Sequence, residues 1–369
     1  WNQIVSYSPR RILRQLALET GTEASVDQAV WSCATCNACT VNCPRGIEII
    51  DVIKAVRTLN VTGGRIPASF EAPLDSLKAN GNPWDGVRAK RLEWAGDLDL
   101  PAFTSEHEYC LFTCCTTAYD PGNRIAGRAL TQLLKYAGIA FGTFGAEESC
   151  CGDPAHKLGA DKIFSELTLK NTDLFLRAGV QKILTTSPHC LNAFSNNYDG
   201  LKGSVASEHY TELLDRLVTQ GHLTPTLEVP ATVTYHDPCY LGRYQGIYAA
   251  PRRVLQSIPG LTLIEMASHK ESSLCCGGGG GGAWADTPLN RRLDALRVEE
   301  ALSTGAQIIA TACPFCLRML NNAVKSLGVG DRIGVRDLAE LLLQSLTLKD
   351  KAKMTERVDL EIDREICHV

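Results

Sequence analysis

The 369-residue chain contains no apolar run near the roughly 18–20 residues that a helix needs to cross a bilayer. A signal peptide is not expected among these residues, which begin at Trp1. Positive charge is not in excess: the net charge is −4, which removes the electrostatic argument for nucleic acid as a partner. The glycine run Gly277–Gly282 lacks the Gly-Lys-Ser/Thr that completes a phosphate-binding loop, since Ala283-Trp284 follows it. Cysteine, by contrast, is abundant, at sixteen residues. Disulfide-dense proteins are usually small domains short of core. A chain of this length, 44% hydrophobic and 21% charged, has enough material for two or three domains with cores of their own.

The spacing of the cysteines argues further against disulfides. Cys33, Cys36, Cys39 and Cys43 lie too close together to pair efficiently, and the doublets Cys114-Cys115, Cys150-Cys151 and Cys275-Cys276 suit a shared metal site. Thiolates that bind metal require a reducing compartment, so the expected location is cytoplasmic. The basic face Arg10, Arg11 and Arg14 is expected to be solvated, with docking to a partner or to the cytoplasmic face of a membrane left open.

Cys33-x-x-Cys36-x-x-Cys39-x-x-x-Cys43-Pro44 has the bacterial ferredoxin spacing. Three thiolates two residues apart wrap one [4Fe–4S] cluster, while the fourth, before proline, ligates a neighbouring cluster in two-cluster ferredoxins. Zinc sites favour two separated ligand pairs. No second run of this kind occurs in the chain. Either all four cysteines serve one cluster, or residues upstream of Trp1, or a docked partner, supply the rest. The second alternative is the expectation, giving one or two ferredoxin-type clusters in an N-terminal helical domain over 1–66. Helix starts are expected at Ser8-Pro9 and over Ile47–Val56. Residues 67–105, with Pro67, Pro73, Pro83 and Pro101, read as a linker with short helices.

From about residue 106 the sequence repeats. The first unit carries Cys114, then Cys150-Cys151 after 35 intervening residues, then Ser187-Pro188-His189-Cys190. The second carries Cys239, then Cys275-Cys276 after another 35, then Cys313-Pro314-Phe315-Cys316. Strand-like runs (Tyr109–Thr113, Ile183–Thr186, Ala231–Tyr235, Ile308–Thr311) alternate with helical ones (Arg124–Ala137, Pro251–Ile258), predicting parallel α/β units with ligands beyond the strand ends. The expected fold is α+β overall, a helical ferredoxin-like domain followed by α/β units at 106–225 and 226–345 and a charged tail over 346–369.

Cys239, Cys275, Cys276, Cys313 and Cys316 make a set of five thiols, one more than zinc or a simple cubane needs. The surplus predicts an unusual cluster, or a cubane with one displaceable ligand, and makes these five the candidate catalytic residues. Gly277, Gly278, Pro314 and His236 are its expected neighbours, with the glycines letting backbone approach closely. Ser187 leaves the first unit with Cys114, Cys150, Cys151 and Cys190, plus Cys115 as a substitute, a set compatible with [4Fe–4S] or zinc. His156, His189 and His236 flank these groups, with hydrogen bonding as the expected duty and ligation or proton relay as alternatives. Cys110 and Cys367 are expected to be inert.

The doubled Cys-x35-Cys-Cys-Gly pattern after a ferredoxin motif resembles the heterodisulfide reductase superfamily. Cys33–Val56 is similar to its ferredoxin-like C subunit, and residues 106–345 to its cysteine-rich B subunit, as in a fusion of the two or a D subunit. His236-Asp-Pro-Cys239-Tyr-Leu-Gly-Arg-Tyr and Leu274-Cys-Cys-Gly-Gly resemble bacterial relatives that work with flavoproteins and membrane quinone partners, and the iron–sulfur subunits of glycolate and lactate oxidases share the cysteine-rich units. The resemblance implies noncubane [4Fe–4S] clusters acting on a disulfide or thiol substrate, with Ser187 putting the first of them in doubt. It also implies partner subunits: a flavoprotein, or a membrane quinone- or heme-bearing subunit. An alternative is a conduit between such partners with no small substrate of its own.

Overall fold

The computed structural model describes residues 8–18, 29–288, 290 and 292–347. Cys367, most of the expected tail and the side chain of Arg11 lie outside the described residues. Helix α1, Pro9–Leu18, starts with proline in its first turn, where the missing N–H costs nothing. A short helix α2 (Ala38–Val41) sits within the cysteine run, and α3 (Ile49–Thr62) follows it, longer than its predicted span. Ile12, Val30, Ile49 and Ile53 form the small core of this region.

Helix α4 (Ala68–Asn80) is closed by Gly81 in the left-handed conformation, the usual helix stop. Two 3₁₀ turns follow, Arg88–Lys90 and Glu93–Ala95. The stretch expected as a linker is thus substantially buried: Phe70, Leu74, Leu77 and Trp94 all belong to core clusters.

The first α/β unit runs β1 (Tyr109–Phe112), α5 (Cys115–Tyr119), α6 (Pro121–Tyr136), β2 (Phe141–Gly142), α7 (Asp153–Leu158), α8 (Asp161–Arg177), β3 (Lys182–Thr185), α9 (Pro188–Asn197), β4 (Ala206–His209) and α10 (Tyr210–Thr219). The second runs β5 (Ala231–Tyr235), α11 (Ala249–Gln256), β6 (Leu261–Leu263), α12 (Leu293–Ser303), β7 (Ile308–Thr311), α13 (Pro314–Leu327), β8 (Gly334–Asp337) and α14 (Leu338–Gln344). Each sheet is parallel, in the order β2-β1-β3-β4 and β6-β5-β7-β8. In this order β1 neighbours β3, and β5 neighbours β7, although a helical crossover separates them in sequence. The gap between such strands, where the winding reverses, is where open α/β sheets bind ligands. The cysteines after β1 and β3 therefore converge, as do those after β5 and β7.

The units share one core. α6 packs on α14 and α10 on α11, an exchange that relates the two repeats by an approximate twofold. Leu130, Leu133 and Leu134 share this core with Leu341 and Leu342, as Leu213 and Leu214 do with Val254 and Leu255. Each fully buried leucine is worth about 1.5–3 kcal/mol, so the pair is held as one body. At the seam, the Tyr210 hydroxyl donates to both carboxylate oxygens of Asp337, at 2.8 and 2.9 Å. Asp337 also caps α14 in a reciprocal capping box with Glu340.

Burial raises the Asp337 carboxyl to about 7 from an ordinary value of 3.8. The unfolded chain ionises at this position near pH 4, the folded chain only near pH 7. The stability contribution is therefore full below pH 4 and is lost as pH rises to about 7, at up to about 1.4 kcal/mol per pH unit. Asp337→Asn should remove this slope. Urea-unfolding curves of both proteins at pH 5 and pH 7.5 would show it, the wild type losing relative stability and the variant not.

Candidate metal centres

Three groups of thiols lie close together, and the described cysteines are all free. In the N-terminal group, Cys33, Cys36 and Cys39 line a cavity of about 230 Å³ walled by Ile12, Ile49 and Ile53. Cys43 is not part of that wall. Hydrogen bonds from the backbone N–H groups of Ile47 and Arg45 lower its pKa. Thr35 and Asn37 adopt left-handed backbone conformations, which fold the Cys33–Cys39 loop tightly.

The second unit brings Cys239, Cys275, Cys276, Cys313 and Cys316 together, all buried. Sulfur atoms of Cys239 and Cys275 lie 3.9 Å apart, and those of Cys276 and Cys316 3.3 Å apart. Cys275 is hydrogen-bonded to Cys276, and Cys316 to Cys313. Cys275 also contacts Cys36, so the N-terminal group abuts this site directly.

Buried thiols in contact do not all stay protonated. Hydrogen bonds from Cys275, Cys316 and His236 drive Cys276 well below the usual thiol range in spite of burial. Burial pushes Cys313 up, but Cys316 and His189 outweigh it and bring the group down to about 6. Contact with Cys275 and the charge of Arg243 likewise bring Cys36 to about 6.

His236 has Nδ1 engaged by the Nε of Arg297, 3.1 Å away. Arginine only donates, so Nδ1 accepts and the imidazole proton sits on Nε2. Nε2 is buried, has no nitrogen or oxygen partner and faces Cys276. His236, Cys276 and Cys316 lie within metal-sharing distance of one another, but a protonated Nε2 makes His236 a donor to thiolate or cluster sulfur rather than a ligand. His189 is placed differently. Its Nδ1 lies 2.8 Å from Asp153, its ring stacks on Tyr240 at 3.8 Å, and it is hydrogen-bonded to Cys313. Burial alone would lower its pKa, yet Asp153 holds it well above the usual histidine range. The first unit thereby supplies a cationic donor to the site of the second. His156, flanking the first unit, packs on Phe164 and is lowered by burial to about 4.

In the first unit Cys114, Cys115, Cys150, Cys151 and Cys190 converge, all buried. Cys115 contacts Cys150, and Cys151 contacts Cys190, which in turn contacts Cys114. Contacts with Cys150 and Cys190 lower Cys151 to about 7. Arg91, fully enclosed, donates to the Cys115 sulfur at 3.3 Å and to the Thr113 carbonyl at 2.8 Å, and is paired with the buried Glu148. Cys115, expected only as a substitute, is thus a full member of the group. Arg91, Arg297 and Asp153 carry no sequence signal of their own, because each acts across a long separation in the chain, whereas His189 is marked in the sequence by its place beside Cys190. Cys110, expected to be inert, is buried in β1 with its thiol pushed far up by burial.

The glycine run does more than approach a cofactor. A Cβ on Gly279 would stand 2.5 Å from the Ala34 carbonyl oxygen, and one on Gly280 2.3 Å from that of Cys33. The run lets the second unit close on the N-terminal cysteine loop, while the Gly277 N–H donates to the Cys275 sulfur at 3.3 Å. Pro314 starts α13 directly after Cys313. The donor sets fit iron–sulfur clusters: dense groups of unpaired thiols, several held as thiolates, with N–H donors aimed at sulfur and little water access.

Comparison with known proteins agrees with this geometry. A cysteine-rich domain family profile (CCG) matches residues 109–195 and 233–321, and a 4Fe-4S dicluster domain profile matches residues 2–48. The D subunit of the dihydromethanophenazine:CoB--CoM heterodisulfide reductase of Methanosarcina barkeri is 33% identical over 86% of this chain and 78% of its own length. The chain belongs to the heterodisulfide reductase superfamily. The "Probable iron-sulfur-binding oxidoreductase FadF" of Bacillus subtilis is 35% identical over 90% of the chain, and the "EtfAB:quinone oxidoreductase" of Syntrophomonas wolfei 34% identical over 86%. The chain spans about half the length of these two relatives, 48% and 47%. Among the described residues no helix is long and apolar enough to cross a membrane, whereas a Chromohalobacter salexigens relative is called a "Probable membrane-anchored ferredoxin".

The close packing of glycine against the cysteine loop makes a direct prediction. Gly280 has φ +58° and no room, whereas Gly246 has φ +72° and open space. Gly246→Ala should cost about 1–2 kcal/mol for the left-handed backbone alone. Gly280→Ala should cost clearly more and increase proteolysis near residues 33–36, as denaturation midpoints and limited digestion would register.

Proposed function

We propose that this chain is an electron-transfer and catalytic subunit of a heterodisulfide-reductase-like oxidoreductase. Cys33, Cys36 and Cys39 would hold a ferredoxin-type cluster, with Cys43 serving a neighbouring one, and such clusters would supply electrons to the five-thiol site Cys239–Cys316. When bound, the clusters supply one-electron redox steps, and at the second site an iron that sulfur of a substrate can reach. The overall change is R–S–S–R′ plus two electrons and two protons giving two thiols, or its reverse.

One observation carries this reading. A cavity of about 610 Å³ reaches both Cys33 and Cys276 and is lined elsewhere by Trp31, Met319, Asn322 and Arg292. It would admit a small disulfide to Cys276. Arg292 is paired with Asp294 there, at 3.0 Å, and would orient an anionic substituent by exchange of partner. His236 and the Gly277 N–H hold Cys276 and Cys275 in place, and Arg297 fixes the His236 tautomer. The protein's own part is to bind, to exclude water and to keep the Cys276 sulfur anionic.

The second reading, a conduit between a flavoprotein and a membrane quinone- or heme-bearing subunit, is supported by the name of the Syntrophomonas relative. In both readings the chain works on the cytoplasmic side with partner subunits.

Cys276→Ala distinguishes them. In the disulfide reading the variant should lose disulfide turnover by at least a hundredfold, while the N-terminal cluster keeps its electron paramagnetic resonance signal. Wild type oxidised in the presence of a thiol should show a paramagnetic species that the variant lacks. Full disulfide turnover in the variant would place the chemistry elsewhere, and thiol-insensitive spectra would favour the conduit.

A further inference from the structure

The spacing in the sequence pairs Cys114 with Cys239, but the strand register pairs them differently. Cys110 in β1 aligns with Ile183, and Thr234 in β5 aligns with Ile309. Ile183 and Ile309 are equivalent, each lying four residues before the Ser187 or Cys313 position. Counting forward from Cys110 and Thr234 places Cys115 level with Cys239, and Cys114 level with Pro238. The first unit therefore lacks a thiol at Ser187 but holds one at Cys114 that the second unit has no counterpart for.

The contacts follow the same logic. In the second unit the sulfurs form the chain Cys239, Cys275, Cys276, Cys316, Cys313. In the first the chain is Cys115, Cys150, Cys151, Cys190, Cys114. Cys114 holds the place at the end of the chain that Cys313 holds in the other unit. It can do so because β1 and β3 are adjacent parallel strands, about 4.8 Å apart, so either strand end reaches the same space. The Cys114 N–H donates to Thr186 Oγ1 at 2.9 Å, tying it to the residue before Ser187. Ser187 itself is committed elsewhere: its buried hydroxyl accepts from the His189 N–H at 3.3 Å and caps α9. Arg91 flanks Cys114 on both sides, donating to the Thr113 carbonyl and to the Cys115 sulfur.

We propose that Cys114 is the fifth thiolate of a first-unit iron–sulfur site, supplying from the end of β1 the ligand that Ser187 removes from the end of β3. The first unit is then a full five-thiolate site like the second, with the Cys114 thiol giving up its proton on binding iron. The inference rests on reading the units as iron–sulfur sites.

The test moves the thiol. Full-length wild type, Cys114→Ala, Cys114→Ala/Ser187→Cys and Cys110→Ala are purified without oxygen, and iron, acid-labile sulfide and low-temperature magnetic spectra are measured. Cys114→Ala should lose about four irons, one cluster's worth, or convert its first-unit spectrum to that of an ordinary cubane. The double variant should restore the wild-type iron content and spectrum, and Cys110→Ala, a buried thiol outside the group, should leave both unchanged. Wild-type iron and an unaltered spectrum in Cys114→Ala would overturn the inference while leaving the proposed function standing. Loss that Ser187→Cys fails to restore would also overturn it, marking Cys114 as a packing residue. Iron-free, zinc-loaded wild type would overturn both.

Discussion

A single buried guanidinium holds the three parts of the chain together. Arg57 on α3 is fully enclosed and faces carbonyl oxygens rather than a carboxylate. It donates to Val30 and Cys33 of the N-terminal cysteine region at 2.8 and 2.7 Å, to Lys157 of the first unit at 2.9 Å, and to Gly280 of the second at 2.9 Å. Its charge lies over the Trp31 ring, 5.2 Å from the centroid. A buried charge is costly unless its hydrogen bonds are made. Burial raises the Cys33 thiol and the Arg57 charge opposes that rise, so the same cation that fastens the loop offsets part of the cost of an anionic sulfur beside it.

The rest of the seam follows the same pattern. Arg243 donates to the Cys36 carbonyl at 2.6 Å, and the Tyr244 hydroxyl to the Thr35 carbonyl at 2.8 Å. Tyr240 stacks between His189 and Tyr244 and shares a hydrogen bond with Thr35 at 2.9 Å. These direct contacts of the cysteine loop all go to the second unit, and Cys36 meets Cys275. The two repeats differ accordingly: Tyr235 and His236 stand where the first unit has Leu111 and Phe112, and His189 stands where the second has Phe315. The first unit has Ser187 where the second has Cys313, and lends His189 to its neighbour.

The strands and the repeat were legible because parallel β segments buried on both faces read as short apolar runs, each ending at a cysteine motif. The ferredoxin run was legible from its local spacing, and the five thiols from three short motifs that recur at matching separations in both units. What was not legible depends on distance through space. Equal spacing favoured Cys114 as the partner of Cys239, and only the register of β1 against β3 assigns Cys115 to that role. The glycine run suggested a cofactor, but the atoms that forbid a side chain at Gly279 and Gly280 belong to Ala34 and Cys33. The prolines of 67–105 suggested a linker, yet Phe70 is core on helix α4, which tolerates Pro73 within it, and Trp94 is core in the 3₁₀ turn Glu93–Ala95. The role of His236 follows from Arg297 alone, 61 residues away in sequence.

The central claim is that the N-terminal cysteine group delivers electrons to the second unit through the Cys36–Cys275 contact. Pulsed electron–electron dipolar measurements on the anaerobic protein test it most directly, with the N-terminal cluster reduced and the second site trapped in its thiol-oxidised paramagnetic form. The account predicts a strong spin–spin coupling between these two centres, stronger than between the N-terminal cluster and any first-unit centre. Two uncoupled spectra, or a dominant coupling to the first unit, would contradict it.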